Sequence, residues 1–286
     1  MKKEEIYQFD LVGCLVAPRL FSDAELEPLI RAVDDLEGHF RSVAENAPKL
    51  ADHFGQPYSI DAKTGASVMV RRNPGLTLIV EDFIGASKSF DMLIGNPKLL
   101  SYVNEMVEPP HSMASGMIFY RDGDSYTPMH MGGPVDARSR YSWIGTYMQS
   151  ADGRTVRPRH IHLLQCRIVI ALHDTTMDDG PFCFVPGSHK SSLHSPHGDN
   201  PYAQPGLQMA LLNKGDVLFF TENLRHGGLR TKPGKTRKSL HLMFSEQWVP
   251  SQSPVHYNGY MRVHADAWER YTDEQKAYFP RAEIFK

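Results

Sequence analysis

The chain has 286 residues, of which 41% are hydrophobic and 22% are charged, as in ordinary globular proteins with a substantial core. Its formal net charge of -2 gives no electrostatic reason to expect a nucleic acid or an anionic membrane as partner. No apolar run approaches membrane-spanning length and the N-terminal segment lacks a signal peptide's apolar core, so we expect a cytoplasmic protein whose three cysteines are reduced and buried.

The N-terminal part, to about residue 110, is predicted to be largely helical. It opens with a short strand pattern over residues 11–16. Ser22 then has the side chain of a helix N-cap, and Glu25, three residues later, completes a capping box. Apolar residues recur after it at helical spacing and predict one buried face. They are Leu26, Leu29, Ile30, Val33 and Leu36.

The rest of this part alternates between polar segments, strands and a second helix. Residues 41–66 are polar and predict a loop with fragments of helix. Residues 67–83 alternate in the manner of two strands, with a turn at Asn73-Pro-Gly between them. A second helical stretch covers about 87–107 and ends before a pair of prolines.

A predominantly β core is predicted from about 111 to 250. Its most strand-like run, residues 160–173, is apolar on both faces and should therefore be central in a sheet. Helices followed by many short strands predict a mostly β fold with flanking helices, either a β-sandwich or a double-sheet jelly roll. An aromatic-rich extension over about 251–286 should pack back on the sheet. No repeat or linker is visible, so 1–286 is predicted to be one domain.

Two histidines stand in similar surroundings in this core. His130 lies in the stretch 127–136 and His226 in the stretch 224–230, each at the end of an apolar run and beside a pair of glycines. Glycines there would let the backbone pass close to a metal or a ligand. We therefore predict that the two imidazoles bind one metal ion.

A cation and a hydroxyl follow the second histidine. Arg237 and Ser239 occupy alternate positions of a predicted strand, so both side chains should point the same way. A fixed guanidinium can bind a carboxylate through two hydrogen bonds. Two imidazoles and this arginine together are what a non-haem Fe(II) site needs if it also binds 2-oxoglutarate, whose distal carboxylate Arg237 would hold.

The third ligand of such a site is missing from its usual place. Fe(II) that activates O2 is typically held by two histidines and one carboxylate, and the carboxylate normally follows the first histidine by two residues. That position is Gly132 in this chain. Asp136 is the nearest acid and could return to the metal if the intervening glycines and proline form a tight loop.

The long segment 137–160 is rich in arginine and aromatic residues and could cover a pocket for a small organic substrate. Its Arg138 and Trp143, together with His162 on the strand that follows, are candidate contacts to the substrate or co-substrate. An arginine-rich loop can equally be a solvated surface, and His162 can equally belong to a solvated strand start.

At residues 171–190 the chain resembles the phytanoyl-CoA dioxygenase family of Fe(II)- and 2-oxoglutarate-dependent oxygenases. This segment, ALHDTTMDDGPFCFVPGSHK, is similar to the family's acidic turn, its Gly-Pro and its Pro-Gly-Ser-His signature. The resemblance extends from Phe9 to about Trp248. It implies a double-stranded β-helix, a cupin-like jelly roll. It also implies that His130 and His226 are the iron ligands and that Arg237, with Ser239 beside it, anchors 2-oxoglutarate.

Three functions follow from these residues. The first is a dioxygenase that uses Fe(II), 2-oxoglutarate and O2 to hydroxylate an unactivated C–H bond of a small organic substrate. The second is a halogenase, because a glycine at position 132 resembles the related halogenases in which chloride occupies the vacated coordination position. The third is a non-catalytic β-sandwich binding protein that has lost its metal site. A two-histidine cupin-type sensor or isomerase would not need Arg237.

Overall fold

The computed structural model describes residues 1–51, 57–73, 75–131, 143–145, 161–191, 195–249 and 261–286. The α-helices in these residues are α1 (Lys3–Val12), α2 (Asp23–Asn46), α3 (Pro97–Met106), α4 (Ala265–Arg270) and α5 (Asp273–Lys276). The strands are β1 (Cys14–Ala17), β2 (Leu50–Ala51), β3 (Pro57–Ile60), β4 (Ser67–Asn73), β5 (Gly75–Glu81), β6 (His111–Asp122), β7 (Thr127–His130), β8 (Trp143–Gly145), β9 (Ile161–Leu163), β10 (Gln165–Ala171), β11 (Phe182–Phe184), β12 (Gln208–Ala210), β13 (Val217–Phe220), β14 (His226–Gly228), β15 (Thr236–Glu246), β16 (Arg262–His264) and β17 (Glu283–Phe285).

Two sheets form the centre of the described structure. The larger has the strand order β1-β13-β10-β15-β6-β5-β4-β3-β2, and the smaller has the order β12-β11-β14-β7. Neighbouring strands in both sheets are antiparallel. This architecture confirms the predicted mostly β jelly roll with flanking helices. Strand β10 pairs with β13 on one side and β15 on the other, so the apolar run it belongs to is interior to the sheet, as predicted.

The N-terminus differs from its prediction. Residues 11–16 do not form one strand, because Gly13 divides them: residues before it belong to α1 and those after it to β1. Gly13 has a φ of 90°, a left-handed conformation that ends α1 and that L side chains rarely adopt. A Cβ there would also lie 2.5 Å from Nδ1 of His189.

Helix α2 begins as the capping box predicts and runs further than expected. Glu25 accepts hydrogen bonds from the backbone N–H and the hydroxyl of Ser22 at 2.8 and 2.7 Å. The helix continues to Asn46, and in this part Arg41 pairs with Glu37 one turn earlier and with Asp122 of β6 at 2.9 Å, which supports the helical conformation. The polar residues at its end are therefore helix rather than loop.

The two faces of the large sheet have different neighbours. On the outer face, Tyr120 of β6 is fully buried and its hydroxyl donates to the carbonyl O of Val33 in α2 at 2.7 Å. Between the sheets, a second apolar cluster joins residues of the large sheet to residues of the small one. Its members include Val169, Leu218 and Phe220 from the large sheet and Phe182, Phe184 and Ala210 from the small one.

The N-terminal part and the C-terminal extension both complete this framework. The part predicted as helical to about residue 110 also contributes β1 to β5 to the large sheet. In the extension, the carbonyl O of Tyr278 accepts a hydrogen bond of 2.8 Å from the N–H of Met113, and its ring packs on Phe244. The prediction that the tail packs back on the sheet is confirmed.

All three cysteines, Cys14, Cys166 and Cys183, are buried free thiols, as predicted. Across the described stretches, none of the helices combines the length and the apolarity needed to cross a bilayer.

Candidate active site

The two predicted metal-ligand histidines lie side by side on neighbouring strands of the small sheet. His130 is the last residue of β7 and His226 is the first residue of β14, and the two face each other in the antiparallel register. Their ring centroids are 4.2 Å apart. The pairing of these two strands therefore brings imidazoles from distant parts of the chain to one point.

Both imidazoles are oriented by the same kind of hydrogen bond. Nδ1 of His130 lies 2.8 Å from the carbonyl O of Pro128, and Nδ1 of His226 lies 2.7 Å from the carbonyl O of Leu224. A carbonyl oxygen can only accept, so Nδ1 carries the proton in both rings and Nε2 keeps its lone pair. Histidines that bind a metal through Nε2 are commonly fixed in this tautomer by such a bond.

Glu222 stands beside the histidine pair. The potential ligand atoms of His130, Glu222 and His226 all lie within 4.8 Å of one another. Glu222 lies just after β13, in the turn that leads to His226. The sequence analysis missed this residue because it sought a carboxylate only downstream of His130. The available signal was an acid in the turn between an apolar strand and the second histidine.

The charges of the cluster suit a divalent cation. Burial and the neighbouring His130 lower the pKa of His226 to about 3, so this ring is neutral at pH 7. Burial by itself would raise the pKa of Glu222, but Arg167 and the two histidines lower it to about 2, so the carboxyl is ionised. Arg167 Nε donates to Glu222 Oε1 at 2.6 Å. Two imidazole nitrogens and one carboxylate are the donor set of mononuclear non-haem Fe(II) sites.

A pair of arginines occupies another part of the space between the sheets. Arg237 of β15 is directly opposite Arg121 of β6 in the register. Arg121 is fully buried and donates to the carbonyl oxygens of Ser125 and Leu229 at 3.0 and 2.6 Å. Both arginines donate to the carbonyl O of Gly180, Arg121 at 3.0 Å and Arg237 at 2.6 Å.

These guanidiniums are short of negative partners. Burial lowers the pKa of Arg237 to about 10, which leaves the group charged at pH 7. Burial, and then the charge of Arg237, also lower the pKa of Arg121. Within the described chain, the Nε atoms of both residues are buried without a hydrogen-bond partner. Two adjacent cations held mainly by neutral carbonyls make a favourable environment for a carboxylate.

The acidic turn and one glycine shape this arginine pair. The segment Met177–Asp179 forms a single 3₁₀ turn, and Gly180 after it has a φ of 64° and supplies the shared carbonyl. A Cβ on Gly228 of β14 would lie 2.4 Å from Nη1 of Arg121. The glycine pair after His226 was predicted to admit a metal or ligand, whereas at Gly228 the space is taken by the Arg121 side chain.

A small cavity lies beside Arg237. It is lined by Arg237, Ser239 and His241 of β15 and by Phe182 of β11, among other residues. Ser239 Oγ and His241 Nε2 are 3.0 Å apart, so the hydroxyl that was predicted to assist Arg237 also contacts His241. The ring of Phe182 is 5.5 Å from that of His226. His241 is a second site residue that the sequence analysis did not select.

For the remaining predicted site residues, the structure describes no side chain. Gly132, Asp136 and Arg138 lie outside the described residues. Trp143 and His162 belong to β8 and β9, which pair with each other, and only their backbone positions are described. Their roles stay predictions.

A model of the family described as phytanoyl-CoA dioxygenase (PhyH) matches residues 9–239. A search of curated proteins found no significant match.

Several solved structures share the fold. HygX from Streptomyces hygroscopicus, solved with nickel and 2-oxoglutarate bound, is 23% identical, with 87% of this chain and 88% of that chain covered and a TM-score of 0.59. The epimerase SnoN, solved with Fe3+, alpha ketoglutarate and nogalamycin RO, is 13% identical, with 88% and 86% covered and a TM-score of 0.58. The carbocyclase SnoK from nogalamycin biosynthesis is 15% identical, with 86% and 84% covered and a TM-score of 0.56. At these identities the likeness shows the fold, and it confirms the predicted double-stranded β-helix.

Proposed function

The chain belongs to the phytanoyl-CoA dioxygenase (PhyH) family and is an Fe(II)- and 2-oxoglutarate-dependent oxygenase, and from that premise we propose that it hydroxylates an unactivated C–H bond of a small organic substrate. The observation that carries the proposal is the paired presentation of His130 and His226. Their rings are in contact and both Nδ1–H groups are tied to backbone carbonyls, which leaves both Nε2 atoms available to one ion. When bound, Fe(II) and 2-oxoglutarate supply the chemistry, in which decarboxylation of the co-substrate is coupled to oxidation of the C–H bond.

Arg237 would hold the distal carboxylate of 2-oxoglutarate. Its guanidinium is charged, its Nε is buried, and Arg121 adds a second positive charge directly across the strand pair. A charge-assisted hydrogen bond in a buried site is stronger than one in water because the local dielectric constant is lower. Ser239, on the same face of β15, has its hydroxyl beside this site and adds a neutral donor.

Aromatic side chains would keep water away from the ligand side of His226. The ring centroid of Phe182 lies 5.5 Å from that of His226, and the ring centroid of Phe220 lies 4.7 Å from it. The two phenyl ring centroids are 5.0 Å apart. An apolar wall of this kind strengthens the electrostatic interactions of a bound anion. It also restricts rotation of the imidazole, since Phe182 stacks on the ring and Phe220 meets it edge to face.

Small-molecule substrates are the class that we propose. Among the structures of similar fold, HygX was solved with hygromycin B bound and SnoN with nogalamycin RO. The identities of these proteins to the present chain are too low to transfer a particular substrate, so the proposal is limited to the class.

Anaerobic absorption spectroscopy tests the proposal. Adding Fe(II) and 2-oxoglutarate to the metal-free protein should produce the visible charge-transfer band of a chelated ketoacid. Arg237→Ala should require much more 2-oxoglutarate for the same band. If wild-type protein gives no band at any concentration of the two ligands, the proposal is wrong.

Halogenation is the second candidate, because Gly132 stands where the carboxylate that follows the first histidine is expected. Once a substrate is found, turnover in chloride or bromide followed by mass spectrometry separates the two reactions. A hydroxylated product with no halogenated one would support hydroxylation, and a halogenated product would overturn it.

A further inference from the structure

The carboxylate that is absent at position 132 has a substitute elsewhere in the fold. We infer that Glu222 is the third protein ligand of the metal, and that it joins His130 and His226 from the turn between β13 and β14. The inference rests on the proposed function, because it concerns the same ion. It goes beyond that function by assigning a ligand outside the usual position and by leaving no vacant place for a halide.

The distances permit a common ion. The ligand atoms of the three residues lie within 4.8 Å of one another. Ligands on one small divalent cation are each roughly 2.0–2.2 Å from it, so two of them can be at most about twice that distance apart. The 4.8 Å bound is slightly larger than this limit, so the three side chains would close in by a few tenths of an ångström on binding the ion.

The turn that carries Glu222 is firmly held. The N–H of Leu224 donates to the carbonyl O of Thr221 at 2.9 Å, and the N–H of Thr221 donates to the carbonyl O of Gly13 at 3.2 Å. Thr221 and Leu224 are fully buried. The same turn supplies the Leu224 carbonyl that orients His226. One short segment therefore sets the positions of both Glu222 and His226, as a pair of ligands requires.

The ion pair with Arg167 is compatible with this role. Arg167 Nε contacts Oε1 of Glu222, and a carboxylate has a second oxygen with which to bind a cation. Both side chains are largely buried, at 14% and 10% exposed. Without metal, a lone carboxylate at this depth would be costly, and Arg167 compensates its charge. With metal, Arg167 orients the carboxylate in the manner of residues that hydrogen-bond to ligands.

A purely structural ion pair would behave differently when both of its charges are removed together. If Glu222 exists only to compensate Arg167, the double variant Glu222→Gln/Arg167→Gln should bind metal as wild type does. If Glu222 is a ligand, Glu222→Gln should weaken binding, whereas Arg167→Gln retains the carboxylate and removes a competing positive charge. The double variant, with both charges removed, should bind metal as weakly as Glu222→Gln. It provides a test that does not leave a buried charge unpaired.

The experiment is an anaerobic titration of the metal-free full chain with Fe(II) at saturating 2-oxoglutarate, followed by the charge-transfer band. The matched control is Glu37→Gln, which also breaks a glutamate–arginine pair, on the outer side of the large sheet. We expect Glu222→Gln and the double variant to bind Fe(II) at least about 100-fold more weakly, since loss of even an outer partner of a ligand costs about 10–100-fold. Glu37→Gln should bind as wild type does, and Arg167→Gln, which keeps the carboxylate ligand but loses its orienting hydrogen bond, should lose clearly less affinity than Glu222→Gln. Thermal unfolding of each metal-free variant checks that it is folded.

Chloride provides a second readout. In Glu222→Ala the third protein ligand is gone, and added chloride should change the position of the band. In wild type the place is filled, and chloride should leave the band unchanged. Wild-type affinity in Glu222→Gln or in the double variant, an equal loss in Glu222→Gln and Arg167→Gln, or a chloride-dependent band in wild type would each overturn the assignment of Glu222. Absence of any band in wild type would instead mean that the proposed function has failed, and the inference with it.

Discussion

The space between the two sheets contains two polar clusters of opposite character. The first consists of His130, His226 and Glu222, and it combines two imidazoles with one carboxylate. The second consists of Arg121 and Arg237, whose contacts are mainly to backbone carbonyls. The first is suited to a cation and the second to an anion. A dicarboxylate whose keto-acid end binds a metal needs both.

The two clusters also differ in how they are built. The histidine cluster depends on the register of β7 and β14 and on one turn. The arginine pair depends on the register of β6 and β15, on the Gly180 carbonyl, and on the missing Cβ at Gly228. Strand β14 contributes His226 to one cluster and Gly228 to the other, but the two arginines come from β6 and β15, so replacing an arginine should leave the histidine cluster intact.

The largest effect is expected at the histidine cluster. His226→Ala removes a predicted ligand, and we expect Ni(II) to bind at least about 100-fold more weakly. Isothermal titration calorimetry without 2-oxoglutarate measures this directly. His264→Ala, at the N-terminus of α4, is the control and should bind as wild type does. Unchanged Ni(II) affinity in His226→Ala would show that the metal lies elsewhere.

At the arginine pair, Arg237→Ala should affect the co-substrate and spare the metal. Truncating one member of a buried charged pair costs about 2–5 kcal/mol. Since about 1.4 kcal/mol corresponds to a factor of ten, we expect 2-oxoglutarate to bind about 30-fold or more weakly. Titration of the charge-transfer band gives this value, and Ni(II) affinity measured alone should not change. The exposed Arg230→Ala, which loses a pair with Asp124 and a contact with the Tyr126 ring, is the matched control. Equal 2-oxoglutarate affinities in the two variants would contradict the anchor role.

A smaller effect, on the free energy of unfolding, is expected when the packing of Arg121 against the backbone of β14 is changed. Gly228→Ala places a Cβ against Nη1 of Arg121, and overpacking of this kind costs about 1–3 kcal/mol of unfolding free energy. Gly38→Ala is the control: its Cβ would meet nothing within 4 Å inside α2, so it should stabilise by about 0.5–1 kcal/mol. Urea unfolding of both variants measures the difference. If Gly228→Ala is as stable as Gly38→Ala, Arg121 is not confined as described.

The smallest effect concerns thiol reactivity beside the arginines. Burial raises the pKa of the Cys183 thiol to about 12, although Arg121 and Arg237 act in the opposite direction. Burial likewise raises the pKa of Cys14 to about 12 and raises that of Cys166. We expect no alkylation by iodoacetamide at pH 8 in the native protein and alkylation of all three thiols after denaturation, measured by intact mass. Selective alkylation of native Cys183 would mean that the arginine pair is open to solvent.

The strand pattern and the histidine positions were predictable from the sequence because they depend on local features. An apolar run that ends at a histidine indicates a strand end, and the spacing from His226 to Arg237 places the arginine on the next long strand. The capping box at Ser22 and Glu25 likewise lies within four residues.

Features that depend on register were not predictable. Arg121 ends an ordinary strand pattern, and only the pairing of β6 with β15 sets it opposite Arg237. Glu222 can be recognised as a candidate metal ligand only once the pairing of β14 with β7 is known, because that pairing brings His130 close to it. The helix α1 was missed because the apolar residues around Gly13 resemble one strand until the left-handed glycine divides them.

A crystal structure grown anaerobically with Fe(II) and 2-oxoglutarate is the most direct test of this arrangement. We expect one metal ion on Nε2 of His130, Nε2 of His226 and an oxygen of Glu222, with the distal carboxylate of 2-oxoglutarate on Arg237. A metal ion bound away from the two imidazoles, or a 2-oxoglutarate carboxylate bound away from Arg237, would contradict it.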